Sequence, residues 1–164
     1  MTIQTYIKAL EKKKEVIRQA VIDAQREATK AAVAEAVQRT APNDGIPRGV
    51  NMTTGNMARH WASDSKTEPA VSGNTYTTEL NCDVEYASYV NNGHWLHRHF
   101  VPGLYIEGGL INRTTAPGVG LVVAKGGTKW VEGRFMETDA IERYRGVLHM
   151  GLDKIPSKWE EVVG

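Results

Sequence analysis

Residues 2–40, TIQTYIKALEKKKEVIRQAVIDAQREATKAAVAEAVQRT, carry the strongest local signal in the chain. It contains no Gly or Pro and is rich in alanine, the best helix former, and Pro42 with Asn43-Asp44-Gly45 ends it. Ile3, Ile7, Leu10, Ile17, Val21, Ala24, Ala28 and Ala31 recur at alternating spacings of four and three, which places them on one face of a helix. Lys14 interrupts that stripe, and past Ala31 it drifts to Val33 and Val37. Such a helix spans roughly 57 Å, more than one small core can cover. The stripe begins with large side chains and continues with alanine, a pattern suited to close packing of its later part. Part of the helix is therefore expected to meet a neighbouring subunit.

Residues 41–53 are turn-rich, and Thr54-Gly55-Asn56 opens a short helix through about Ala62 with Met57 and Trp61 on one face. TEPAV and TYTTEL flank Ser72-Gly73-Asn74 and predict a β-hairpin, since Gly-Asn supplies the positive φ such a turn needs. VEYASYV (84–90) fits strand or helix by pattern. Glu85, Tyr86, Tyr89 and Val90 favour a helical turn, with Asn92-Gly93 as its stop. Residues 94–118 read as a long loop, because glycines and prolines crowd from Pro102 to Gly118. Leu121-Val122-Val123 predicts a short buried strand, Lys125-Gly126-Gly127 a turn, and Phe135–Met150 a helix with Met136, Ala140, Tyr144 and Leu148 in line. A further short helix is expected after Pro156.

The order of elements predicts one α+β domain over residues 1–164: a long N-terminal helix (2–40) on a small, mostly antiparallel sheet, with a second long helix near the C-terminus. The α+β core is placed at 54–150, with the loop at 94–118. The residues expected to pack it are Trp61, Tyr86, Tyr89, Trp130, Phe135 and Met136.

The chain of 164 residues carries 20 basic and 19 acidic side chains, a formal charge of +1. That balance argues against a protein whose main task is neutralising nucleic-acid phosphates, an affinity that scales with cationic contacts. The single cysteine, Cys82, precludes an intramolecular disulfide and reads as a small strand hydrophobe. No apolar run approaches the ~20 residues of a membrane span, and no signal-peptide pattern follows the N-terminal lysines. A soluble protein made in the cytoplasm is expected, with no membrane partner.

The chain carries few signatures of chemistry. There is no phosphate-loop, dinucleotide, HExxH or GxSxG motif, so no catalytic residue and no cofactor site is assigned. His94, His97 and His99 lie within GHWLHRHF and are the one set that could hold zinc or copper if the segment folded back, making a metal-dependent hydrolase the alternative function. On an extended strand, however, His97 and His99 share a face that His94 does not. Lys12, Lys13, Lys14 and Arg18 are the other alternative, a small DNA-binding patch. The simpler reading is a solvated helix face with Glu11 and Glu15 beside it. Trp95, at a histidine-rich segment start, is the tryptophan expected to be exposed, a common interface anchor.

Three strings remain, and in order they resemble one family. TGNMARHWASD brings Thr54, Gly55, Asn56, Met57 and Arg59. VEYASYVNNGHW brings Tyr86, Ala87, Tyr89, Val90 and Gly93. KWVEGRFMETDAIERY brings Gly133, Arg134, Phe135 and Met136. Together they make the chain similar to the phage tail-completion, or head–tail joining, minor tail component family over about residues 50–145. The resemblance implies a non-enzymatic virion structural protein without cofactor, located in the tail or neck. It implies a homo-oligomeric ring, read here as a hexamer, that joins the tail tube to the head-connector or stopper proteins. Genomic DNA would only pass through its lumen. Rings need heterologous contacts, in which one face meets a different face of the next copy. The residues expected to make partner contacts are Trp95, His97, Phe100 and Tyr105, with Ile3, Ile7 and Leu10 on the first helix.

Overall fold

The computed structural model describes residues 2–40, 55–108 and 110–157. The fold is α+β, with a long N-terminal helix, short antiparallel strand pairs and a second long helix near the C-terminus. The first helix, α1 (Ile3–Arg39), is unbroken, and Thr2 caps it by accepting the Thr5 N–H on its hydroxyl. The chain continues through α2 (Asn56–Asp64), the hairpin β1 (Lys66–Ser72) and β2 (Thr75–Glu79), and α3 (Ala87–Asn92). Strands β3 (Gly93–Leu96), β4 (His99–Pro102), β5 (Leu104–Glu107), β6 (Leu110–Arg113), β7 (Gly120–Val123) and β8 (Lys129–Glu132) follow, and α4 (Met136–Leu152) closes the order.

Among the described residues, only the second half of α1 is packed. Its buried face is Ala20, Ala24, Ala28, Ala32 and Ala36, every fourth residue, with Gln25 and Thr29 beside them. The predicted stripe through Val21 and Ala31 is thus rotated by about one residue. Alanines leave room for α4 to lie close and antiparallel: Met136 meets Thr40 at one end and Gly151 meets Ala24 at the other. A Cβ on Gly151 would come 2.7 Å from that of Ala24, so only glycine permits this crossing. Arg39 and Asp139 form an ion pair at 3.2 Å across the two helices.

The core is small. Ala32, Ala36, Met57, Trp61, Met136 and Ala140 are buried together, and Leu80, Cys82, Ala87, Val90 and Tyr144 close around them. Met136 is 0% exposed and receives the Thr40 hydroxyl on its sulfur at 3.1 Å. The β1–β2 hairpin is held to α1 by polar bonds. Gln25 donates to the Tyr76 carbonyl at 2.9 Å, Thr29 to the Thr78 hydroxyl at 2.8 Å, and Arg26 pairs with Glu68 at 2.7 Å.

Several expectations need correction. Residues 94–118 are not a long loop, since most of β3, and all of β4, β5 and β6, lie within it. Of the residues that suggested a loop, Gly103, Gly108 and Gly118 lie outside the strands at positive φ, whereas Pro102 is paired with Gly120 within β4 and β7. Of the six residues expected to pack the core only Trp61 and Met136 are buried; Tyr86, Tyr89, Trp130 and Phe135 are exposed. Aromatic size favours burial on average, but here the body is too small to enclose these side chains. Val122 is likewise exposed, and Cys82 lies past the end of β2 instead of within a strand. The expectations for 41–54, including Thr54, and for the end of the chain from residue 158, including Trp159, fall outside the described residues.

Candidate assembly surfaces

Two parts of the molecule stand apart from the packed body. The first is the N-terminal half of α1, where every residue from 2 to 12 is exposed. Helices usually turn an apolar stripe toward a core. Here Ile3 is 80% exposed, and Tyr6, Ile7 and Leu10 beside it are all open to solvent on one face. Tyr6 was not among the residues expected from sequence. Its spacing of three from Ile3 and four from Leu10 would have found it.

The second is a two-stranded ribbon. β3 pairs with β8, β4 with β7 and β5 with β6, all antiparallel, so residues 93–132 run out and back as one nested hairpin. Fully extended, its outgoing strand reaches on the order of 45 Å. Among the described residues, and apart from β3 against α3, no strand of the ribbon packs substantially on the helices or on the β1–β2 hairpin. Along it Trp95, Phe100, Ile106, Val122 and Trp130 are exposed. Trp95 and Trp130 stand directly opposite and stack edge to face, with ring centroids 5.3 Å apart. Further out, the Phe100 ring lies over Gly120, where any Cβ would strike it.

The root of the ribbon is tightly made. Gly93 has φ +81°, and a Cβ there would lie 2.6 Å from the Val131 carbonyl oxygen. On the returning side Arg134 and Phe135 donate their N–H groups to the carbonyls of Val90 and Asn91. Phe135 takes a left-handed conformation at the start of α4 and offers no side-chain cap. Asn91, buried, supplies one from 46 residues away: its Oδ1 accepts the Glu137 N–H at 3.0 Å. No local signal in the sequence marks Asn91 for this role, because the groups it joins are distant in the chain.

A third feature lies on the body. Asp64 accepts from Ser63, from the Asp83 backbone N–H and from His60, and these bonds hold its carboxyl well below the usual range, at about 2. They tie the end of α2 to the segment after β2. Next to them is a cleft of about 230 Å³ whose lining includes Trp61, Cys82, Ser88, Asn91 and Glu137. Burial raises the pKa of the Cys82 thiol there.

Of the residues singled out from sequence, Trp95 and Phe100 are exposed on the ribbon, and His97 is exposed between β3 and β4. Tyr105 is half-buried on β5. Gly55 is the N-cap of α2 in a left-handed conformation and Asn56 its first residue. Tyr86 precedes α3, whose Ala87 and Val90 pack on the core while Tyr89 points outward. The three histidines do not converge. His94 contacts the Tyr89 carbonyl, His97 the Thr128 hydroxyl, and His99 the carbonyl of His97. Among the described residues no three His, Cys, Asp or Glu side chains are placed to hold a metal ion, and no helix is long and apolar enough to cross a membrane.

A small body with two unpacked projections, both displaying apolar side chains, is built like an assembly subunit. The comparison with protein families agrees. The model described as "Bacteriophage HK97-gp10, putative tail-component" matches residues 4–93, more than half of the chain. The protein therefore belongs to the HK97-gp10-like family and is a phage tail structural component. The match takes in α1, α2, the β1–β2 hairpin and α3, ending at the root of the ribbon. No curated protein and no solved structure matched.

Proposed function

We propose that this chain is a ring-forming tail-completion or neck subunit, a non-enzymatic virion protein that joins the tail tube to the head connector. The observation that carries the reading is the pair of projections on a family tail component. A helix half and a two-stranded ribbon, each carrying exposed large apolar side chains, have too little of their own body to pack against. An isolated two-stranded hairpin is only marginally stable in water, so the ribbon gains its support from a partner. Ile3, Ile7 and Leu10 on the helix and Trp95, His97, Phe100 and Tyr105 on the ribbon are the proposed contact residues. Tail-tube and connector proteins are the proposed neighbours, with DNA passing through the lumen.

The test is the mass of the purified full chain by sedimentation and imaging of its particles, together with the protein content of mature virions. Closed rings, six copies each, and presence in virions are the expected results. Absence from virions, or a chain that stays monomeric at every concentration, overturns the reading.

A further inference from the structure

The charges of this near-neutral chain are segregated. Residues 2–19 hold five basic side chains against Glu11 and Glu15, while residues 61–92 hold Asp64, Glu68, Glu79, Asp83 and Glu85 against Lys66 alone. Several charges on each side are unneutralised among the described residues. Lys8, Lys12, Lys14 and Arg18 make no ion pair among the described residues, and neither do Asp83, Glu85 and Glu137. Glu137 lines the body cleft, and Asp83 and Glu85 sit in the segment between Cys82 and Ser88, which also line it. Trp61 is another lining residue. Its indole N–H is buried and finds no acceptor among the described residues.

The two patches cannot meet within one molecule. The cleft lies beside Trp61 and the start of α4, and those elements pack near Ala36 of α1. One unbroken helix separates that point from Leu10 by about 40 Å, at ~1.5 Å per residue. A parallel pairing of two N-terminal helix halves is also disfavoured, because it sets Lys14 against Lys14 at a seam position.

We infer that the projecting half of α1 docks on a second copy of this chain, its Ile3–Tyr6–Ile7–Leu10 stripe seated over the acid-rimmed cleft between α2, the β2–α3 segment and the start of α4. Lysines flanking the stripe then face Asp83, Glu85 and Glu137 of that copy. The contact is heterologous, so it repeats from copy to copy and closes into a ring or runs on as a filament. This deepens the ring reading and rests on it.

The test is charge exchange on the full chain, read by sedimentation. Reversing the helix with Lys8→Glu/Lys12→Glu/Lys14→Glu, or the body with Asp83→Lys/Glu85→Lys, is expected to raise the concentration for half-assembly at least roughly tenfold; combining both sets in one chain restores it. Melting curves of each variant confirm folding. As an independent measurement, Glu11→Cys with Ser88→Cys in a Cys82→Ser background should oxidise to a ladder of covalent multimers, whereas either single cysteine stops at dimers. If rings form but neither rescue nor ladder appears, this contact is overturned and the ring reading stands. If the parent chain does not self-associate at all, both fall.

Discussion

Asn91 and Asp64 each join pieces of chain that sequence keeps apart. Asn91 caps α4 from the end of α3 and so fixes where the helix leaves the ribbon root. Asn91→Ala should cost roughly 1–2 kcal/mol, the range of a lost helix cap, read as a lower denaturant midpoint at unchanged slope. Asp64 makes a pH prediction. Its carboxyl is held at about 2, below its ordinary 3.8, so the stabilisation it contributes is complete above about pH 4. That stabilisation is lost as pH falls from there toward 2. Amide exchange at Asp83, followed over this range, should show its N–H released, and Asp64→Asn should abolish the dependence.

Among the elements, the ribbon and the first half of α1 differ in what holds them. The helix half is supported by continuity with a packed helix, while the ribbon depends on its own cross-strand pairs and its glycine root. Trp95 and Trp130 are the largest such pair, yet Trp130 is 46% exposed and outside the core cluster. Trp130→Ala should therefore loosen the ribbon by about 0.5–1.5 kcal/mol, the worth of an aromatic pair beyond burial. Faster hydrogen exchange at β3 and β8 would report the loss. The melting temperature of the body should barely move. A large drop in it would mean that the ribbon and body fold as one unit.

For the molecule as a whole, a small core joins the second half of α1 to α2, α3 and α4, and the mass beyond it reaches outward. Stability is accordingly graded along the chain. Hydrogen exchange in the unassembled protein should show slow amides at residues 24–36 of α1 and at the buried first turns of α4, with fast ones at 3–12. Assembly should protect 3–12 selectively. Uniform protection before assembly would show that the helix half is already covered.

Much of the local structure was legible in the sequence because its signals are local. An alanine-rich run without Gly or Pro makes α1, Gly73-Asn74 turns the first hairpin, and Asn92-Gly93 stops α3. The open half of the stripe was legible too, since Ile3, Ile7 and Leu10 mark a face that a 37-residue helix cannot bury against so short a chain. The remainder is long-range. The pairing of 93–107 with 110–132 depends on register between strands whose glycines, read one by one, look like loop. Whether Tyr89, Trp130 and Phe135 go inside depends on how much core is available to receive them, a property of the packed whole. The distance between the basic helix end and the acidic cleft likewise exists only once α1 is straight and α4 lies along its other half.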